Sequence, residues 1–269
     1  MKKKFIIFFS IVGSLQSHPS VFDDISPENT RDLVRNIFLD SYQIGQELCS
    51  QRTLKIISGF VPFFLIGRHY DKRTHACFYD AVHHENKHQP PQWLQYFAEY
   101  EIMDIPIWVC RFFAFGHRDR QVRRAFQIFT LGYGWAHISK LIIKQTVAHC
   151  KLDVGLRPLH PGFSREWKHY HGIPSGHAIV IAFTATYLGL YKGWHYGVPF
   201  GLYTGFIMGM RVAGNHHFIS QVVTGTALGI IWGASSYAVF EKIALPENLS
   251  VNVVTDTHNQ IGFSVGYNF

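Results

Sequence analysis

The chain is poor in charge for its 269 residues. Aspartate, glutamate, lysine and arginine make up only 16% of it, against about a quarter in an average soluble domain. Hydrophobic residues reach 47% and aromatic residues 16%, so long stretches carry few groups that need water. The shortage of charge favours a membrane or membrane-apposed protein. A mean hydropathy of only +0.02 excludes a chain that is embedded entirely in lipid.

Cysteine and acidic residues are also scarce. The four cysteines are scattered, with no C-x-x-C pair, and their pairing cannot be deduced from the sequence. The 18 acidic residues face 25 basic ones, a net charge of +7, which suits an anionic partner. No nucleic-acid-binding motif appears, so a phosphate or a lipid is the expected partner and nucleic acid is not. The histidine-rich HHENKH stretch matches no metal-site spacing, and neither a metal nor a cofactor is predicted.

The N-terminus has the pattern of an export signal. Three lysines precede a short apolar stretch in MKKKFIIFFSIVGSLQS, and small residues follow it. We predict a signal peptide or an N-terminal anchor over residues 1–17. Either one sends the chain out of the cytoplasm.

The rest of the chain divides into three predicted regions. Residues 26–103 are expected to hold an amphipathic helix, a short apolar segment and a polar loop or surface helix. Residues 104–245 are expected to be the helical core. Residues 246–269 alternate in polarity, which predicts a β-hairpin that turns near 256–259. The predicted fold is therefore an all-α, membrane-embedded bundle of about six helices with a small C-terminal β-hairpin.

Within the core, the polar loop around 148–177 is followed by three apolar helices. They are predicted at 178–192, at roughly 197–211 and at 221–240. The last has no charge and many small residues, which suits close helix packing. The basic run at 117–124 is expected to be a solvated turn or a cytoplasmic loop.

Several polar residues lie at the ends of these helices. Arg157 precedes the first, Ser175, Gly176 and His177 lie at its start, Arg211 ends the second and His217 precedes the third. Because two helices, out and back, separate His177 from Arg211, all of these residues are expected on one side of the bundle. Guanidinium groups and a helix N-terminus favour a phosphoryl group there. One imidazole could then attack phosphorus while the other protonates the leaving oxygen.

In order and spacing, these residues resemble the signature of the type 2 phosphatidic acid phosphatase superfamily. The resemblance covers roughly residues 125–240 and implies an α-helical bundle. It also implies His217 as the nucleophile, His177 as the general acid, and a shell of phosphate-binding groups formed by Arg157, Arg211, Ser175 and Gly176.

The sequence departs from that signature at three places. The family's lysine would fall on Cys150, so Lys144 and Lys151 are both candidates to contact phosphate, with Lys144 slightly favoured. The serine before Arg211 is Met210. The aspartate four residues after the nucleophile is Gln221, whose amide can orient the imidazole but supplies no charge. An aspartate at this position is expected to keep or raise activity.

These residues predict a membrane-embedded bacterial phosphatase whose active site faces the periplasm. Its substrate would be a lipid phosphate such as phosphatidate, an isoprenoid pyrophosphate or lipid A. Three alternatives stay open: a soluble periplasmic acid phosphatase, a lipid phosphotransferase and a catalytically silent membrane scaffold.

Overall fold

The computed structural model describes most of the chain outside the first 26 residues. The described ranges are 27–80, 82–83, 85–87, 89–158, 170–244, 249–255 and 261–267. The predicted signal segment at 1–17 and the predicted hairpin turn at 256–259 lie outside them.

The predicted all-α bundle with a small hairpin is confirmed. The described residues form nine α-helices: α1 Pro27–Leu48, α2 Gln51–Phe78, α3 Gln92–Phe97, α4 Tyr100–Met103, α5 Ile105–Gly116, α6 Arg120–His149, α7 Gly176–Lys192, α8 Trp194–Ala213 and α9 Ile219–Ala244. The hairpin pairs β3 (Leu249–Thr255) with β4 (Ile261–Tyr267) in antiparallel register. A two-residue pair, β1 (Tyr79–Asp80) and β2 (Glu85–Asn86), follows α2.

The length of α2 was not predictable from local sequence signals. It runs for 28 residues through Pro62 and into the stretch predicted as a loop or surface helix. A proline normally ends or kinks a helix because it lacks a backbone N–H. α2, however, packs against α9, and such tertiary contacts can override local propensity. Its last turns therefore reach the region of His217.

α6 begins inside the basic run that was expected to be a solvated turn or loop. Asp119 caps the helix by accepting from the N–H groups of Gln121 and Val122. Arg124, one turn further, donates to the buried carboxylate of Asp40 on α1 at 2.6 Å. The basic run is thus partly a helix start that ties α1 to α6.

α9 is the central helix, since it packs against α1, α2, α6, α7 and α8. Gly225 and Gly229 make its close approach to α7 possible. A Cβ at either position would lie 2.5 Å from a backbone oxygen, that of Ser175 or Ile179 respectively. This close packing brings the start of α9 against the start of α7.

Among the described residues, α9 is also the one helix long and apolar enough to cross a membrane. Most of its apolar stretch is buried inside the protein. A core helix of a soluble protein has the same properties, so α9 supports membrane association only weakly.

Candidate active site

The helix ends predicted to share one side of the bundle do meet. Lys144 lies near the end of α6, Ser175 caps the start of α7, Arg211 lies in the last turn of α8, and His217 lies two residues before α9. Ser175, at the cap of α7, donates its backbone N–H to the Gln221 carbonyl in the first turn of α9 at 3.1 Å.

The loop from Arg211 to His217 is a compact turn. The backbone N–H groups of His216 and His217 both donate to the Arg211 carbonyl, at 3.0 and 3.1 Å. Asn215 adopts a left-handed conformation, with φ at 59°, which asparagine tolerates better than most residues. The turn holds His217 against the end of α8, where it is only 4% exposed.

Gln221 fixes one ring nitrogen of His217. Its Oε1 lies 3.3 Å from His217 Nδ1 and accepts from the backbone N–H of Phe218 at 3.2 Å. Its Nε2 donates to the carbonyls of Leu156 at 2.5 Å and Val154 at 3.3 Å. A flipped amide would place its oxygen against both carbonyls, so the amide orientation is set. His217 therefore carries its proton on Nδ1, donates it to Gln221, and leaves Nε2 with a lone pair.

Lys144 and Arg157 are held by one backbone carbonyl. Lys144 Nζ and Arg157 Nη2 both donate to the oxygen of His171, at 2.7 and 3.2 Å. Lys151, the other candidate lysine, is exposed. The structure thus brings Lys144 to the site and places Lys151 outside it.

The charges around the two candidate histidines are positive. Burial, then Arg211, Lys144 and Arg157, hold the pKa of His217 well below its ordinary value. Burial and the charge of Arg211 lower the pKa of His177 to about 2. Both rings are therefore neutral at neutral pH.

The pKa of Lys144 is lowered for the same reasons. Burial, followed by the charges of Arg157, Lys140 and Arg211, lowers its pKa to about 7. Cations crowded into a partly buried site repel one another unless an anion lies between them. This electrostatic arrangement favours binding of an anion.

Ser175 adds a hydrogen-bond donor at the same place. It is the N-cap of α7, yet its side chain makes no capping bond. Its hydroxyl is fully buried and has no hydrogen-bond partner among the described residues. Gly176 and His177 follow in the first turn, where backbone N–H groups lack helical acceptors. Together these donors can hold phosphoryl oxygens.

Three residues near His217 were missed from the sequence, and two of them lie on α2. Asp71 is buried and accepts from both the backbone N–H and the hydroxyl of Ser220, at 3.1 and 2.5 Å. His75 Nδ1 lies 2.8 Å from Asn215 Oδ1, and its ring meets Phe218 edge to face. Asn215, the third, had no signal beyond its place in a Gly-Asn turn.

His216, the chain neighbour of His217, lies close enough to lower the pKa of His177. Within the described ranges, no group of three or more His, Cys, Asp or Glu side chains is arranged to hold a metal ion. All four cysteines are free.

The order of motifs and the cationic pocket agree with a comparison against known families. Residues 125–244 match the family model of the PAP2 superfamily. This confirms, over that part of the chain, the predicted resemblance to type 2 phosphatidic acid phosphatases. No curated protein and no solved structure matches the chain. The PAP2 match supports a phosphatase that acts on phosphate esters. We call residues 125–244 the PAP2 core; α1 to α5, including Asp71 and His75, lie before it.

Proposed function

We propose that this protein is a lipid phosphatase that removes a phosphate from a phosphomonoester or pyrophosphate lipid. The observation that carries the proposal is the site itself. A buried imidazole has its Nδ1 fixed by Gln221 and is surrounded by Lys144, Arg157 and Arg211 inside a PAP2 core.

The reaction runs in two steps. His217 Nε2 attacks phosphorus, an N–P bond forms, and the bond from phosphorus to the leaving oxygen breaks. His177 gives a proton to that oxygen. Water then attacks the phosphohistidine and loses its proton to His177, while the N–P bond breaks and phosphate leaves. Lys144, Arg157, Arg211 and Ser175 hold the phosphoryl oxygens, as do the N–H groups at Gly176 and His177.

The histidine pKa values fit these roles once substrate is bound. His217 must be neutral to attack, and burial among cations keeps it so. His177 must hold a proton to serve as the acid, although burial and the charge of Arg211 lower its pKa to about 2. A phosphate dianion among the cations offsets the charges that lower this pKa. Substrate binding therefore raises the pKa of His177 and favours its protonated, acid form.

The surface supports a lipid substrate over a soluble one. Large apolar side chains are exposed on four different helices: Phe63 is 61% exposed, Phe112 62%, Ile142 61% and Leu202 73%. Apolar exposure of this extent is typical of membrane or partner contacts. We propose that these side chains contact the lipid of a membrane.

The helix direction supports an active site on the outer side of a bacterial inner membrane. The basic run at 117–124 precedes and begins α6, and Lys144 lies 24 residues beyond Arg120. At about 1.5 Å per residue, the two are separated by roughly 36 Å. If the basic end is cytoplasmic, as the positive-inside rule favours, the phosphate site faces the periplasm.

The test is phosphate release in detergent from phosphatidate, an isoprenoid pyrophosphate and lipid A. Wild type is compared with His217→Ala and with the neighbouring His216→Ala as a matched control. A second measurement traps the acid-labile phosphohistidine after a rapid quench with labelled substrate. We expect release and trapping in wild type and in His216→Ala, and neither in His217→Ala. Equal release by wild type and His217→Ala would overturn the proposal and favour a silent scaffold.

A further inference from the structure

An apolar groove lies between α2 and the start of α9. It has a volume of about 510 Å³, within the range of small-molecule sites. Most of its walls are apolar or aromatic: Phe63, Ile66, Tyr70, Phe78, Ile219 and Val223. Gly67, Arg73, Thr74 and Cys77 of α2 line it as well. Phe63, Ile66 and Tyr70 are 61%, 57% and 44% exposed, so the groove opens to the surroundings of the protein.

The groove lies beside the loop that carries His217. A smaller cavity beside it is lined by His217, Phe218, Asn215 and Asp71. Thr74 and Ile219 line both the groove and this cavity. The two spaces therefore share a wall at the level of the proposed nucleophile.

The groove also has a direction. At one end of α2, His75 contacts the loop that carries His217. Gly67, two turns earlier, packs against Ile219 and Ser220 at the start of α9. From Phe78 back to Phe63, the helix covers about 22 Å at about 1.5 Å per residue. The groove thus begins beside the loop that carries His217 and leads away from it along a mostly apolar face of α2.

We propose that this groove holds the hydrocarbon chain of the substrate while its phosphate lies at His217. The inference rests on the proposed function and names what that function leaves open: the substrate is recognised by its chain as well as its phosphate. An acyl or isoprenoid chain gains free energy by leaving water for such a surface. A short soluble phosphate ester reaches the same phosphate site without using the groove.

The test uses two neighbouring residues of α2. Ile66→Asp places a charge on the groove wall. Leu65→Asp is the matched control, because Leu65 is 59% exposed but does not line the groove. Each variant is assayed in detergent with dioleoyl phosphatidate, with a short-chain phosphatidate and with p-nitrophenyl phosphate. Both substitutions change an exposed apolar side chain, so a general loss of membrane or detergent contact affects them equally.

We expect Ile66→Asp to lower kcat/KM for dioleoyl phosphatidate about tenfold or more relative to Leu65→Asp. It should leave p-nitrophenyl phosphate hydrolysis unchanged and remove most of the preference for long over short chains. If wild type hydrolyses the lipid and the two variants lose activity equally, the groove proposal fails while the proposed function stands. If wild type hydrolyses p-nitrophenyl phosphate but none of the lipids, the lipid phosphatase proposal fails and the groove proposal with it.

Discussion

The PAP2 core and α2 both reach the loop that carries His217, but they bring different side chains to it. The core supplies Lys144, Arg157 and Arg211, whose positive charges act on the buried ring. α2 supplies Asp71, which binds the start of α9, and His75, which contacts the turn. The difference separates two tasks. The core holds the groups suited to phosphoryl chemistry, and α2 holds groups that position the loop beside an apolar groove.

The largest effect should come from removing a core cation. We expect Arg211→Met to lower kcat by about 10²–10³, the usual loss when one donor to a developing oxyanion is removed. The backbone carbonyl that accepts from His216 and His217 is kept, so the turn should remain. Steady-state hydrolysis of p-nitrophenyl phosphate measures the loss.

The matched variant on α2 is Lys72→Met, which replaces an exposed lysine. It removes the same charge from the protein and should change kcat less than about twofold, since exposed charges contribute little. If both variants lost activity alike, the loss would come from overall charge, and the division of tasks between core and α2 would be wrong.

Gln221 should show the next largest effect. Aspartate was expected from the sequence to work at least as well, but the structure leads to the opposite prediction. A shorter carboxylate cannot donate to Leu156 and Val154, and it would face their carbonyl oxygens. We expect Gln221→Asp to lower kcat about tenfold or more. Its free energy of unfolding should fall by about 1–3 kcal/mol, the cost of leaving buried polar groups unpaired.

Gln221→Glu is the control that separates length from charge. Its carboxylate keeps the reach of the amide but also lacks the two donors. It should lose stability like Gln221→Asp, as chemical denaturation with activity in parallel would measure. Retained or raised kcat in Gln221→Asp would show that the negative charge matters more than the bonds to the 154–156 backbone.

The chemical half of the site was readable from the sequence because it is encoded locally. Two short patterns in the sequence carry it: the spacing from Arg211 to His217, and the residues around Ser175 at a helix start. Segment count was enough to place them on one side of the bundle. The lysine was ambiguous because 144 and 151 both lie before Arg157. The structure separates them: Lys144 donates to the His171 carbonyl, and Lys151 is exposed.

The positioning half was not readable because its partners are distant along the chain. Asp71 binds Ser220, which is 149 residues further on, and no local pattern links the two. Pro62 is a local signal for a helix end or kink. The packing of α2 against α9 continues the helix to Phe78. The carboxylate of Asp71 therefore lies beside the loop that carries His217. The spacing of motifs in the sequence links that loop only to residues of the PAP2 core.

Asp71 gives a smaller effect, mainly on stability. Asp71→Ala removes two buried hydrogen bonds to Ser220 and a negative charge at a helix N-terminus. We expect a loss of about 2–3 kcal/mol in the free energy of unfolding, with kcat reduced only a few-fold. A double-mutant cycle with Ser220→Ala should give a coupling energy of about 1 kcal/mol or more. Additive losses would show that Asp71 does not act through Ser220.

The smallest effect is a shift in pH dependence. Lys144 has a pKa lowered to about 7 by burial and by Arg157, Lys140 and Arg211. It is charged below that pH and neutral above it, so kcat/KM should fall as the pH rises through about 7. In Lys144→Arg, the guanidinium stays charged. The fall in kcat/KM at alkaline pH should therefore move up by roughly two pH units or more. The substrate's own ionisation is common to both enzymes and cancels in the comparison.

The pH dependence of the free energy of unfolding is an independent measure of the pKa of Lys144. Because the folded lysine loses its proton near pH 7 and the unfolded one near 10.5, the unfolded chain binds more protons between these values. The free energy of unfolding should therefore rise with pH across that window, and Lys144→Met should remove this contribution. Saturating vanadate, an anion held among the same cations, should raise the pKa of Lys144 and flatten the rise in wild type. A rise that vanadate leaves unchanged would mean that Lys144 does not face the bound anion, and the core would hold phosphate through its arginines alone.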